Sequence, residues 1–578
     1  MTVRAAGKVD SNGASDEFEK AFLEGIEPAL PYLASRGIKV AVNAGASDAQ
    51  KLCSVLADKI EAQGLGLRVA WIGGDEVIDL VRQDAQDGAE FRSLTTGQKL
   101  SEWGFEPLYA QCYLGSWGIV EAFTGGADVV ICGRVADASP AIACAAYHYG
   151  WQRKDYQQLA SALVAGHMIE CSTYVSGGNF SGFKSLPGDV TNIGFPIAEI
   201  LPNGNFYVTK QKNTGGMVTV ETCKSQLLYE IQGPLYYHSD TVAVLDGIRF
   251  EQAGVDRVLI AITPHHLAAA RLIRAQLCFQ CRKPETSPTT KVGITAKGGF
   301  QAEAHYFLCG LDIEEKAQLL EKQLRSALEE SRYHCLKFQT HGRCPDDPQS
   351  QASATVDFRI FAQARDEVDL SRERFLEPIT NNIMQGYPGA TFAMDTRLAL
   401  PKPYCEYWVT LVPQNRLRHV CHLPFSGSRV DIAAPDDTED FVTSQDSCET
   451  SDPAADAAAD LGPLVRAPLG YVVHARSGDK GSDSNVGFFV RHADEWDWLR
   501  TLLTADKVKA LLGRDYSGKP VFRFELRNIW AVHFLLKDHL DRGVGANSTY
   551  DFLGKNVAEY LRSKHVEIPV KFLERGRI

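Results

Sequence analysis

The sequence predicts an α/β fold: a parallel, Rossmann-like sheet covered by helices, then an α+β region, then a small ferredoxin-like α+β domain. Three observations predict it. Apolar, β-branched runs alternate with stretches of helical spacing through residues 16–139. Each of those runs stops at a glycine-bearing polar loop. Past residue 467, a β-loop-β-α-β-α order fills the rest of the chain.

Residues 1–15 are small and polar, the composition of a disordered terminus. Helical spacing over 18–36 leads into Ile38-Lys39-Val40-Ala41-Val42, a strand ending in Asn43-Ala44-Gly45-Ala46. A helix over 49–62 precedes the strand Leu67-Arg68-Val69-Ala70-Trp71-Ile72, which stops at Gly73-Gly74-Asp75-Glu76. Residues 110–123 read as a helix, and Ala127-Asp128-Val129-Val130-Ile131-Cys132 as a strand ending at Gly133. Parallel strands put these loops on one edge, where open α/β sheets collect ligands. Asn43, Asp75, Arg134 and Asp137 are therefore expected to be neighbours.

Residues 140–429 read as an α+β region. Residues 166–233 are rich in glycine and aromatics, strands follow near 256–263 and 291–295, and a long helix near 312–332. Between Arg429 and Arg466 there is no lysine or arginine; this acidic Ser/Ala/Asp-rich tract, 430–466, reads as a flexible linker. In the domain 467–578 the pattern predicts a strand at 469–474, a polar loop at 475–485, strands at 486–490 and 521–526, a helix at 494–503 and a final helix near Gly554.

Composition narrows the function. The 578 residues carry a net charge of −12, which offers no basic stripe for nucleic acid. No apolar stretch is long enough to cross a bilayer, and the first residues lack the apolar core of a signal peptide. The 14 cysteines are scattered; Cys278-Phe279-Gln280-Cys281 has no second pair at zinc spacing. These features suit a reduced cytoplasmic protein, and the large α/β body suits a homo-oligomer. No loop carries the dinucleotide fingerprint or a Walker sequence, so no redox cofactor is called for.

Gly133-Arg134-Val135-Ala136-Asp137-Ala138-Ser139 is the leading candidate for chemistry. Arg134 offers a planar donor fork for a carboxylate or phosphate, and Asp137 can orient it, cap the next helix or act as a base. A structural Arg–Asp pair accounts for the same residues. His167, Glu170 and Cys171 fall at i, i+3 and i+4, one face of a helix. They can supply acid/base chemistry, a nucleophile or a site for a divalent metal, or can be a buried structural group. Gly177, Gly178 and Asn179 let backbone approach a ligand. Lys210 with Thr214 can bind an anion or simply end a strand. In the C-terminal domain Arg476, Ser477, Asp479, Lys480 and Asn485 combine cations, hydroxyls and glycine-freed amides, suited to an anionic group or to a self-satisfied turn. Glu303 and His305 alternate on a strand and read as a structural pair. Asn528, His533 and Asn547 are weaker contact candidates. A Gly-x-Ser-x-Gly nucleophile elbow is absent.

Several stretches carry a family resemblance: 37–45, Gly133 to Ser139, Ala165-Gly166-His167-Met168-Ile169-Glu170-Cys171, Ser176-Gly177-Gly178-Asn179-Phe180, Gly194-Phe195-Pro196-Ile197-Ala198-Glu199 and Gln226-Leu227-Leu228-Tyr229-Glu230-Ile231. The chain resembles the acyclic terpene utilisation family AtuA. Ala475-Arg476-Ser477-Gly478-Asp479-Lys480-Gly481, with Asn485-Val486-Gly487, resembles the ferredoxin-fold domain often fused to it. The resemblance implies breakdown of branched acyclic terpenoids through acyl-CoA thioesters, without implying a particular reaction. Family members begin with a further strand–loop–helix segment, whereas this chain enters at the helix near 16–32; where that segment walls the site, altered activity is implied. Two functions follow as expectations. One is an enzyme acting on an acyl-thioester or related branched carboxylate by acid/base chemistry, as hydratase, lyase or hydrolase. The other is a non-catalytic ligand-binding or assembly subunit.

Overall fold

In the computed structural model the described residues are 18–262, 286–436, 438, 445–448 and 461–578. The expected disorder of residues 1–15 and the Cys278/Cys281 pair fall outside them.

The first sheet starts as the sequence predicts. Strands Val40–Val42, Val129–Cys132 and Val69–Gly73 are parallel, in that spatial order. The four residues of Val129–Cys132 are buried on both faces, as expected of the middle strand of a helix-covered sheet. The helix Ala49–Ala62 covers the sheet, its first turn capped by the Asp48 carboxylate accepting from the Lys51 amide at 3.0 Å. The parallel, Rossmann-like expectation holds only this far. Val420–Leu423 and Ser428–Asp431 extend the sheet antiparallel, so it is mixed. Local patterning marks those residues as strands but cannot say that a segment so distant in sequence returns to this edge.

A second correction concerns residues 110–123. Pro107–Cys112 is a strand, and the helix begins only at Trp117. Buried on both faces toward its end, this strand loses the alternation that separates strand from helix. It pairs with Thr289–Cys309, a 21-residue strand that organises a second sheet. Lys402–Pro413 pairs along the first half of that long strand and Thr355–Ala364 along the second, with Cys335–His341 beyond. A third, four-stranded antiparallel sheet (Pro196–Ile200, Phe206–Lys210, Arg257–Ile262, Ile248–Gly254) packs on the helix Tyr156–Ile169, of which residues 159–168 are all buried.

The C-terminal ferredoxin-like domain contains an antiparallel sheet in the order His474–Lys480, Asp483–Phe489, Ala531–Leu536, Val521–Leu526, backed by helices Trp496–Leu502, Ala505–Leu512 and Asn556–Ser563. The expected polar loop 475–485 is instead a tight hairpin turning at Gly481 and Ser482. Its polar residues read as a loop because polarity usually marks solvent; here they are buried between domains. Parts of the acidic tract are likewise held: the Gln445 side chain bonds Leu235 through both its oxygen and its nitrogen, and the Cys448 amide donates to the Arg523 carbonyl at 2.8 Å. Leu464–Pro468 pairs with His565–Pro569. No helix among the described residues is long and apolar enough to cross a membrane.

Candidate functional site

The Gly133 turn is fixed from behind. The same Asp75 oxygen accepts from the Arg134 amide at 2.8 Å and from Gln111 Nε2 at 2.7 Å. A Cβ on residue 133 would lie 2.4 Å from that oxygen, so only glycine lets the turn close over it. Asp75 is thus a positioning residue, its carboxyl pushed up chiefly by burial. The turn sends Arg134 forward, with its guanidinium 4.1 Å from the Tyr113 ring and Nη2 2.9 Å from Asp137.

Arg134 and Asp137 open onto a cavity of about 360 Å³ between the mixed sheet, the long strand and the C-terminal domain. Strand periodicity builds one wall: Lys291 and Thr295 on the long strand are register partners of Leu411 and Tyr407, and all four line the space. Glu230 and Tyr236 form a second wall, Asp479 and Lys480 a third. The C-terminal hairpin reaches the cavity because it docks on residues 228–230. Asn485 Nδ2 donates to the Leu228 carbonyl at 2.6 Å, and the Glu230 amide donates to Asn485 Oδ1 at 3.0 Å. Gly478 lies under the Tyr229 ring, where a Cβ would be 2.4 Å from a ring carbon. The C-terminal domain therefore completes the cavity.

Three cations and several carboxyls share this space. Lys480 Nζ is 3.4 Å from Glu230. Burial opposes its charge, but Glu230 foremost holds the ammonium above the ordinary lysine range. Burial, then Glu230, pushes the Asp479 carboxyl up to about 6. Lys291 moves the other way, drawn down to about 8 by burial and then by Lys480. A small anion is the occupant such a cavity suits, with the Asp479 carboxyl able to exchange protons near neutrality.

The other candidates are placed elsewhere. His167, Glu170 and Cys171 do not share a helical face, because the helix ends at Ile169, Glu170 is extended and Cys171 has φ +58°. They lie outside the cavity lining. His167 Nε2 donates to the carbonyls of Gln226 (3.0 Å) and Leu227 (3.3 Å), leaving Nδ1 bare 3.7 Å from Glu170. Burial draws His167 down to about 4 and pushes Glu170 up to about 8, so both are neutral near pH 7. The Cys171 thiol is pushed up to about 11 by burial, the reverse of an activated nucleophile. Among the described residues no cluster of His, Cys, Asp and Glu could hold a metal ion.

Arg476 packs against the rings of Tyr174 (4.2 Å) and Tyr229 (4.6 Å) and donates to the Asn179 carbonyl, which brings the Gly177-Gly178-Asn179 loop against the C-terminal domain. Ser477 Oγ accepts from the Ala558 amide and donates to the Lys555 carbonyl. Lys210 is satisfied by Thr214 at 2.9 and 3.0 Å and by Asp256 at 3.4 Å, and Asn43 is exposed. These residues hold the fold or the domain contact and do not line the cavity.

Lys291, Tyr113, Tyr236 and Tyr407 line the cavity but escape a reading by motif, and Glu230 lies in the family stretch 226–231 without standing out there as a site residue. Lys291 stands at the head of an apolar strand, and a lysine interrupting such a run is the signal that could have found it. The cavity is also lined by His238, which joins Ser139 and Asp240 in a group of hydrolase-triad composition. Its proton is in the wrong place for that chemistry. The Asp240 amide donates to Nδ1 at 3.1 Å, so Nε2 carries the hydrogen and donates to Ser139 Oγ at 3.0 Å. Ser139 Oγ in turn donates to the Leu114 carbonyl at 3.3 Å, and Asp240 Oδ2 is taken by the Ser116 amide and hydroxyl.

No curated protein and no solved structure matches the chain. Two family models do. The ferredoxin-like domain of AtuA matches residues 467–567, the domain that supplies Asp479 and Lys480. The model described as acyclic terpene utilisation family protein AtuA matches residues 1–423, and the chain belongs to that family.

Proposed function

We propose that the chain is an enzyme acting on an acyl-thioester or related branched carboxylate by acid/base chemistry, as a hydratase, lyase or hydrolase, with no redox cofactor in the step. The observation that carries this reading is the convergence of Arg134, Lys291 and Lys480 with Asp137, Glu230 and Asp479 around one cavity. Anion recognition needs the cations, and stabilising an enolate or oxyanion needs them inside a water-poor space. Proton transfer needs the carboxyls: Asp137, oriented by Arg134, serves as base, and Asp479 as a proton carrier near neutral pH.

Size supports a small reacting group. About 360 Å³ holds a short branched acyl unit but not a whole coenzyme A thioester. A second space of about 880 Å³ shares Leu94, Thr95, Gln232, Tyr237 and Leu411 with the first, and the remainder of a thioester would lie there. The family's name, which ties it to acyclic terpene utilisation, fits a branched substrate. Within this reading, the reversed proton on His238 disfavours hydrolysis through Ser139.

The test is turnover of isovalerate, 3-methylcrotonate and their coenzyme A thioesters, with products identified by mass. The wild-type protein is expected to convert at least one, and Asp137→Asn to lose conversion by about a hundredfold or more while keeping its melting temperature. Binding of the same compounds without conversion, and unchanged by Asp137→Asn, would instead support a non-catalytic subunit.

A further inference from the structure

Two of the three cavity cations have a carboxylate partner, and one does not. Arg134 is bonded to Asp137, and Lys480 is 3.4 Å from Glu230. Lys291 Nζ makes no hydrogen bond or ion pair among the described residues; its one contact is the face of Tyr113 at 5.6 Å, a ring that also carries Arg134. Its surroundings explain the lack. Thr289 and Thr295 lie on the same face of its own strand, and Val409 and Leu411 lie across the ladder. The nearby strand residue Glu406, which also lines the cavity, is engaged by Arg542 at 2.7 Å.

We propose that Lys291 is the covalent centre of this site, its amine condensing with the ketone or aldehyde carbonyl of an oxo acid whose carboxylate is held by Arg134 and Lys480. A lysine beside fixed cations, without a counter-ion, gives up its proton more readily than an exposed lysine, and the free amine is the form that attacks a carbonyl. Burial and Lys480 act in that direction, drawing it down to about 8.

In the step, the Nζ lone pair forms a bond to the carbonyl carbon and the C=O π pair moves to oxygen. Nitrogen loses a proton and oxygen gains one, giving a carbinolamine. Its hydroxyl then leaves as water, taking a second proton, and the C–N bond becomes C=N. The net change is amine plus carbonyl to imine plus water, with no oxidant or reductant. Asp137 and Asp479, both in the cavity lining, are the carboxyls available to pass the protons. The imine then serves as an electron sink for proton loss or C–C cleavage next to it.

This inference rests on the cavity being a catalytic site for a carboxylate, and its test separates the two. The full chain is incubated with pyruvate, a short oxo acid, and treated with borohydride, which reduces an imine to a stable secondary amine; the adduct is then mapped by peptide mass. Isobutyrate, which has the carboxylate but no ketone, is titrated in parallel by thermal shift. The expected result is labelling of Lys291 at least about tenfold above the exposed lysines, whose ammonium groups give up their protons only near about pH 10. Isobutyrate should suppress that labelling. Labelling spread evenly over surface lysines, or none at Lys291 while isobutyrate still raises the melting temperature, would overturn the inference and leave the cavity's reading intact. Labelling at Lys291 with no response to isobutyrate would support a reactive amine and count against the carboxylate reading. Lys291→Arg, which keeps charge and length, should abolish the adduct without lowering the melting temperature.

Discussion

Among the charged regions where the C-terminal domain touches the rest of the molecule, two are built on opposite principles. At the cavity, where Lys480 is held charged by Glu230, burial moves other groups toward neutrality: Lys291 falls to about 8, Asp479 rises to about 6 and, outside the lining, Glu170 rises to about 8. At the second region, where 541–550 meets the strands Cys335–His341 and Thr355–Ala364, partners hold charges in place. His305 is raised to about 9 by Asp357 and then Glu303, and Glu303 is lowered to about 2 by His305 foremost. Arg359 bonds Glu303, Gln339 Oε1 (2.9 Å) and the Ser548 carbonyl (2.6 Å), and Tyr550 donates to Asp357 at 3.0 Å. Both regions are charge-rich. What separates them is that the charges named in the second region all have partners inside the protein, whereas the cavity leaves Lys291 without one among the described residues, to be matched by a ligand.

Breaking a cavity cation should have the largest effect on ligand and little on fold. Arg134→Met removes one charged donor, so affinity for isobutyrate, read by calorimetry, should fall by about ten- to a hundredfold, the worth of one charge-assisted hydrogen bond. Breaking the second region should do the reverse. Arg359→Ala removes one of the two cationic partners of Glu303; Glu303 keeps some solvent, so the loss should lie near about 3 kcal/mol in denaturant unfolding, with isobutyrate affinity retained.

An intermediate effect is expected from pH. His305 has a folded pKa raised from 6.5 to about 9, so its contribution is complete below 6.5 and is lost as pH rises through 9. Glu303 is lowered from 4.5 to about 2, so its contribution is complete above 4.5 and is lost as pH falls through 2. The melting temperature should therefore decline above pH 6.5 and below 4.5. Glu170, raised to about 8, adds a decline of the same sign as pH rises, since its neutral form suits the fold. His305→Gln should flatten the decline between pH 6.5 and 9, while Glu170→Gln should flatten the decline that runs from 4.5 to about 8. The smallest effect should come from Ser139→Ala, which removes one hydroxyl bonded to a neutral histidine. About 1 kcal/mol of stability and no turnover should be lost, and a collapse of turnover would restore Ser139 as a nucleophile.

Much of this was legible in the sequence, and the rest follows a physical pattern. The parallel strands, the Gly133–Asp137 turn and the cations of the C-terminal hairpin announce themselves through local spacing. Pro107–Cys112 did not, because burial on both faces erases alternation. The 475–485 hairpin did not, because buried polar residues look like solvent-facing ones until the domain covering them is known. Lys291 and Glu230 come from segments distant in sequence from Arg134, and only the sheet register and the domain contact bring them together. His167, Glu170 and Cys171 misled for a local reason: their spacing assumes a helix through Cys171, and the helix ends at Ile169.

The most direct test of the account is one titration of isobutyrate by calorimetry on three proteins: wild type, Lys480→Met and Arg359→Ala. If the cavity closed by the C-terminal domain is the ligand site, wild type and Arg359→Ala should bind with similar affinity, and Lys480→Met should bind at least about tenfold more weakly. Equal binding by all three, or binding lost with Arg359→Ala and kept with Lys480→Met, would place the site elsewhere and contradict the account.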